Sequence, residues 1–261
     1  MIVRGESRYR VFSSDAFAGN PVTLFEVDTL DDGAALLRAA QGSRTEDNVF
    51  FIAEHRTPVT ARFFSSTAEL WLCGHGLLAL AQHLRASDVS GSRSVHSPSG
   101  TWQIFNDAHG PGVLIPAQQG VEIVDALHWM KQALHQSGIA HERLYECPNG
   151  VWIVIVREMS ELLNITTDAV AALRCGEYLP GALIAALLLH DAGYGFRYFA
   201  PWHGKPEDSG TGSAHCYLAP LLAASGAPVS ALQFSPAGVA EMRVCLRGNL
   251  VAMSGRVDLC S

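Results

Sequence analysis

The feature that most restricts how this chain can fold is a motif that occurs twice. Glu69 to Leu84 reads as the end of an apolar strand, a turn Cys73-Gly74-His75-Gly76, and then a run rich in Leu and Ala. Phe199 to Leu222 has the same plan: an apolar strand end, the acidic pair Glu207-Asp208, a turn Gly210-Thr211-Gly212-Ser213, and an apolar run with helical spacing. A glycine-bearing turn that opens a helix leaves backbone N–H groups without intrahelical partners and has the positive end of the helix dipole behind them. Such a turn is an anion cradle. The two turns lie near the ends of the two halves of the chain and are read as facing each other.

The rest of the chain is organised around these turns. Strands are expected at Tyr9–Phe12, Val22–Val27, Val49–Ile52, Val59–Phe64, Trp152–Val156 and Phe196–Phe199, with a hairpin from Gly100–Phe105 to Gly112–Ile115. Three more, Ala231–Pro236, Glu241–Arg247 and Leu250–Val257, close the chain through glycine-containing turns. Helices are expected at Asp31–Gln41, Ile123–Gln136, Thr167–Leu173 and Ala214–Ala224, while Ser90–Ser99 reads as a polar loop and Ala182–Leu189 as a buried strand or helix. This is an α+β chain of two pseudo-equivalent domains, 1–116 and 117–261, with the last strands left free to pack back onto the first.

Composition removes several functional classes. At 261 residues and 48% hydrophobic content, the chain can bury a sizeable core. A net charge of −7 with no run of like charge argues against a nucleic-acid partner, which calls for a basic stripe. Met1–Arg10 has no secretory pattern, and the longest apolar run, Gly181–Leu189, is too short to cross a bilayer. No membrane partner and a cytoplasmic location are therefore expected. The six cysteines, Cys73, Cys147, Cys175, Cys216, Cys245 and Cys260, form no C-x-x-C pair, so neither a zinc site nor a disulfide framework is expected.

Five segments taken in order resemble the phenazine-biosynthesis (PhzF-like) isomerases, which share their fold with diaminopimelate epimerase. They are Asp15-Ala-Phe-Ala-Gly19-Asn20-Pro21, Glu69-Leu-Trp-Leu-Cys-Gly-His75, Phe199-Ala-Pro-Trp202, Glu207-Asp208-x-x-Thr211-Gly-Ser-Ala214 and Ser254-Gly255. The resemblance implies a diaminopimelate-epimerase-like fold in which each domain wraps a mostly antiparallel, barrel-like sheet around a central helix. It implies acid/base chemistry without a cofactor at a carbon next to a carbonyl or carboxyl group, and a homodimer. The family moves the proton with a Glu that matches Glu46, and surrounds its substrate with residues that match His75, Asp208 and Ser213. Gly19, Asn20, Cys73, Gly74, Gly76, Gly210, Thr211 and Gly212 complete the expected substrate-binding set. Where the family carries Pro and a bulkier residue after the Asp, this chain has Ser209-Gly210, which loosens the second cradle.

Each residue also has a plainer reading. Glu46 is a lone carboxylate at the mouth of an apolar strand, a place that a solvated loop charge also occupies. A Glu whose pKa is raised by burial can take up a proton and return it, which is what a proton shift requires. His75 can be a helix-start histidine satisfied by backbone. Asp208, Glu207 and Ser213 can be capping residues.

The expected function is an isomerase that shifts a proton, and with it a double bond, on a small unsaturated or cyclic amino acid or related carboxylic acid, in small-molecule biosynthesis. One alternative is a racemase or epimerase using Cys73, a thiol activated at a helix start. The place in the second turn that matches Cys73 is read as Gly210, which leaves a two-thiol pair incomplete, and Cys216 falls inside the helix. Another alternative is a binding module that keeps the fold without catalysis.

Overall fold

Continuous apolar runs and alternating runs send far more of this chain into strands than into helices, and its few helices follow the Leu- and Ala-rich stretches. The computed structural model describes residues 1–53, 58–85, 92–107, 110–125, 128–173, 180–189 and 193–260, so Cys175 and Ser90 lie outside the described residues. It divides into two units, Met1–Ile115 with Ala252–Ser261, and Pro116–Val251.

The first unit is built from β1 (Val3–Val11), β2 (Asn20–Val27), α1 (Gly33–Gln41), β3 (Asp47–Ile52), β4 (Val59–Phe64), β5 (Glu69–Leu70), α2 (Gly74–Arg85), β6 (Ser92–Ser97), β7 (Gly100–Asp107) and β8 (Gly110–Pro116). The second holds β9 (Val121–Glu122), α3 (Trp129–Gln136), β10 (Arg143–Cys147), β11 (Val151–Ile155), α4 (Met159–Asn164), α5 (Thr167–Ala171), β12 (Ala182–Leu189), β13 (Gly193–Ala200), β14 (Lys205–Asp208), α6 (His215–Leu222), β15 (Pro228–Ser235) and β16 (Gly238–Arg247). The chain ends with β17 (Leu250–Ser254) and β18 (Val257–Leu259), the latter antiparallel to β1.

In the first unit β1 and β2 are antiparallel, β2 and β3 parallel, and β3 and β4 antiparallel. There β4 also takes β5 antiparallel and β6 parallel, and β6 and β7 are antiparallel. In the second unit β10 and β11 are antiparallel, β11 and β12 parallel, and β12 and β13 antiparallel. There β13 also takes β14 antiparallel and β15 parallel, and β15 and β16 are antiparallel. The order of pairings is the same in both.

Helix α2 is apolar on nearly every face, so it has no stable place except inside. Nine of its twelve residues are buried, and it packs against β1, β2, β3, β7 and β18. Each fully buried leucine there, such as Leu77, Leu78 or Leu80, contributes on the order of 1.5–3 kcal/mol. Gly76 permits the approach: a Cβ at that position would lie 2.7 Å from the Val49 side chain and 2.8 Å from Cys73 Sγ. Helix α6 buries His215 through Ala219 and packs against β16.

Several expectations need correction. The polar stretch Ser92–Ser97 is strand β6, not loop; it pairs with β4 and β7 and buries only Val95, so its alternation is hidden among serines. The helix expected over Ile123–Gln136 starts only at Trp129, where the His128 ring accepts from the Met130 N–H as N-cap, and Ile123 instead donates to the Leu144 carbonyl. Ala182–Leu189 is a strand between two partners, which explains its unbroken apolar run.

A buried cation ties the second unit together. Arg197 Nε and Nη2 donate to both carboxylate oxygens of Glu207 at 2.7 and 2.9 Å, and Nη1 donates to the carbonyls of Leu162, Leu163 and Ile165. The guanidinium lies 4.7 Å from the Phe199 ring centroid. Removing one partner of such a pair leaves an uncompensated buried charge. Arg197→Met is expected to lower the unfolding free energy by about 3–5 kcal/mol, read as a lower urea midpoint at unchanged slope, and Glu207→Leu in the same chain is expected to recover much of the loss.

Candidate active site

The first unit gathers its ionisable groups where β3 begins and α2 begins. Along a strand, successive side chains take opposite faces. Glu46, just before β3, is exposed, and Asp47, its first residue, is buried at 7% exposure. The segment is pinned by hydroxyls and an amide: Thr45 Oγ1 meets Thr23 Oγ1 at 2.7 Å and donates to the Asp47 carbonyl at 3.0 Å, while Asn48 Nδ2 donates to the carbonyls of Thr45 and Glu46.

At the start of α2 the carbonyl of Cys73 accepts from the Leu77 N–H, so Gly74, His75 and Gly76 form the first helical positions. His75 is 7% exposed, and its Nε2 stands 3.4 Å from Asp47 Oδ2. Cys73 Sγ lies 3.7 Å from His75 Nδ1. Burial opposes a charge on this imidazole, but the Cys73 sulfur and the Asp47 carboxylate outweigh it, and the pKa of His75 is raised well above its ordinary value. The buried Cys73 and Asp47 groups thus favour the charged form of this imidazole.

Gly19 and Asn20 sit at the entry to β2. Gly19 has a φ of 92°, and a Cβ there would lie 2.8 Å from the Arg10 Cβ, so the turn requires glycine. Asn20 is buried.

In the second unit Asp208 ends β14 at 8% exposure. It accepts from the Ser209 N–H at 3.0 Å and from the Thr211 hydroxyl, and faces Lys205 Nζ at 2.9 Å. Gln233, fully buried on β15, takes the Thr211 N–H on its Oε1 at 2.6 Å and donates to the Asp208 carbonyl at 2.6 Å. A single-turn 3₁₀ helix, Gly212–Ala214, then leads into α6. Gly210 and Gly212 are buried and Ser213 is half-buried.

The turn is thus less open than its composition implied, because the N–H groups of Ser209 and Ala214 are already bonded within it and that of Thr211 is taken by Gln233 on β15. The N-cap Thr211 makes no side-chain cap bond, and Glu207 is held by Arg197, so neither Asp208 nor Glu207 serves as the helix cap.

The matching order of pairings aligns the two turns. Leu70 pairs with Phe63 on β4, and Asp208 with Tyr198 on β13. Three residues on from each stand Cys73 and Thr211, both the residue before a helical turn; five on stand His75 and Ser213. The counterpart of Cys73 is therefore Thr211 rather than Gly210, and it offers a hydroxyl where a second thiol would be needed. Cys216 lies inside α6, and burial pushes its thiol up to about 12.

Sequence reasoning missed Asp47, Gln233 and Lys205. No local rule singles out Asp47, because β3 is buried on both faces and Asn48 beside it is buried too. The burial that was to raise the pKa of Glu46 is absent; the buried carboxylate is its neighbour.

The fold is mixed and mostly sheet, and its first unit sets a buried His75–Asp47 pair at a helix start. The chain matches the phenazine biosynthesis-like proteins over residues 9–239 and belongs to that family, and its enzyme class is isomerase. An uncharacterised isomerase of Pseudomonas aeruginosa is 29% identical over 95% of this chain and 93% of its own length. A phenazine biosynthesis protein of the PhzF family from Enterococcus faecalis has the same fold, with a TM-score of 0.80 at 23% identity over 98% of each chain. A hydroxyproline epimerase from Agrobacterium vitis, solved with trans-4-hydroxy-L-proline bound, shares it at a TM-score of 0.60 and 11% identity, over 100% of this chain and 92% of that one. Among the described residues no helix is long and apolar enough to cross a membrane.

The charge on His75 makes stability depend on pH. A histidine whose folded pKa is raised contributes stability that is complete below about pH 6.5, its ordinary unfolded value, and lost as pH climbs through the raised one. In thermal melts at a series of pH values, the margin of the natural protein over His75→Gln is expected to be widest in mild acid and to shrink as the solution becomes alkaline.

Proposed function

We propose that this chain is a cofactor-free isomerase that shifts a proton, and with it a double bond, on a small unsaturated or cyclic amino acid or related carboxylic acid. The observation that carries the reading is the buried His75–Asp47 pair at 3.4 Å, where an acid and a base stand side by side at a helix start. A carbon acid next to a carboxyl group needs a base to take its proton and positive charge to stabilise the anion that forms. In this reading Glu46 carries the proton and His75 and Asp208 orient or relay, with Asp47 holding the His75 ring from β3. Ser213 and the helix-start N–H groups of Gly74, His75 and Gly76 are proposed as contacts to the substrate's carboxylate, with Gly19, Asn20, Gly210, Thr211 and Gly212 shaping the binding surface.

The repeated order of strand pairings supports two pseudo-equivalent domains, each with an epimerase-like sheet about its apolar helix. Family membership supports a homodimer and a role in small-molecule biosynthesis, the first of which sedimentation would read directly.

The experiment is hydrogen exchange in heavy water with 3,4-dehydro-L-proline, trans-4-hydroxy-L-proline and other conjugated or cyclic amino acids. The natural protein is expected to place solvent deuterium on the carbon next to the carboxyl group of at least one of them. His75→Asn is expected to slow that exchange by roughly 10²–10⁴-fold, the range for loss of one acid/base group. Exchange by no member of the panel would count against the reading.

The contact of Cys73 with His75 favours one competitor, a thiol-based racemase. Cys73→Ala is expected to keep exchange within about threefold of the natural rate, far less than the roughly 10²-fold or greater loss that removal of a catalytic base brings. A loss of that larger size would move the base from carboxylate to thiol.

A further inference from the structure

The second turn carries a lysine that its local pattern would aim elsewhere. In an unbroken strand, residues three apart point to opposite faces. Lys205 and Asp208 are three apart on β14, yet Lys205 Nζ stands 2.9 Å from Asp208 Oδ1. The pairing with β13 accounts for it: Ala200 faces Lys205 and Tyr198 faces Asp208, so three steps on β14 are set against two on β13. The bulge re-aims the lysine onto the carboxylate. Asp208 also accepts from the Ser209 N–H on Oδ1 and from the Thr211 hydroxyl on Oδ2, so both oxygens are engaged. Next to it, Glu207 is matched by Arg197. Tyr198 stays a neutral phenol, because burial first and Asp208 second push its pKa up, and burial holds His215 neutral with a pKa of about 3. Among the described residues of this turn, each carboxylate thus already has its own cation. The lysine is also the more accessible half of its pair: its side chain is 34% exposed, against 11% for that of Asp208. An incoming group therefore meets positive charge here, which favours an anion through a charge-assisted hydrogen bond and opposes an ammonium.

We propose that Lys205 is a specificity-determining residue that selects unsaturated dicarboxylic acids over amino acids. The inference rests on the isomerase reading and names its substrate class. One carboxylate of the substrate meets the Lys205 ammonium, which Asp208 holds in place. An amino acid brings an ammonium instead, and the negative charge that would receive it is already taken by the lysine. The proton shift itself is left as in that reading. In glutaconate, the carbon that gives up the proton and the carbon that receives it each carry a carboxyl group. The shift therefore regenerates glutaconate, with nothing oxidised or reduced, and is seen as uptake of solvent deuterium at those carbons.

The test compares trans-glutaconate, but-3-enoate and L-vinylglycine in heavy water with the full chain. All three have an allylic C–H beside a carboxylate; they differ in bearing a second carboxylate, no further group, or an ammonium. The natural protein is expected to take up deuterium into trans-glutaconate with a kcat/KM at least about tenfold above that for L-vinylglycine, since one hydrogen bond between charged groups is worth roughly 10–100-fold. Lys205→Met is expected to lower the kcat/KM for trans-glutaconate by about 10–100-fold, mostly through KM, and to slow but-3-enoate less, because that acid has no second carboxylate to lose its partner. Lys205→Arg keeps the charge and is expected to restore at least about tenfold of that loss, a rescue confined to the dicarboxylic acid. Should Lys205→Met fail to fold, Lys205→Gln is measured in its place and judged by the same ratios. A natural protein that exchanges amino acids as fast as trans-glutaconate, or a Lys205→Met protein that slows all three acids alike, overturns this inference and leaves the isomerase reading standing. A natural protein that exchanges neither these acids nor any amino acid of the panel above overturns that reading and this inference with it.

Discussion

Two ionisable side chains almost without access to water, Asp47 and His75, are the constraint on which the first unit turns. Either one alone would carry a desolvation cost of several kcal/mol, so each depends on the other. Their contact also fixes the start of β3 against the start of α2. Gly76 is needed for the same reason, because its missing side chain leaves room for Cys73 and Val49 to close around that contact. The apolar body of α2 then supplies the burial that holds the charged end in place.

The second unit follows the same order of strands but is built with different chemistry. Where the first has a thiol and an imidazole, it has the hydroxyls of Thr211 and Ser213, and its turn is organised by a neutral amide, Gln233, that satisfies buried backbone groups on both sides. The position that opens β12, the counterpart of β3, is Ala182, which carries no ionisable group. Duplicated architecture therefore comes with unequal equipment: the first unit sets a buried histidine, His75, against a carboxylate, while the second holds Asp208 on hydroxyl, backbone and lysine donors and buries His215 against the Tyr194 hydroxyl.

Much of this was legible in the residues alone. The glycine turns before apolar helices, the strands at Val22–Val27 and Val59–Phe64, and the family all follow from local pattern, because apolar periodicity and turn chemistry are local properties. What local pattern could not supply was partnership. Ser92–Ser97 looks like loop because only Val95 needs a core, and its strand identity comes from β4 and β7 on either side. The N–H groups of the second turn looked open because Gln233, which takes one of them, lies on a different strand. The contact of Asp47 with His75 likewise depends on where the start of β3 meets the start of α2, a fact of packing that composition does not carry.

Arg197 shows how far such partnership reaches. Its flat cation grips three carbonyls at the end of α4 with one nitrogen and Glu207 with the other two, and Glu207 is the immediate neighbour of Asp208. It works as a rivet through three separate pieces of chain. A displacement of Leu162, Leu163 or Ile165 is passed through that rivet to the residue beside Asp208, so tuning of this turn can be inherited from substitutions in a helix that contributes no side chain to it.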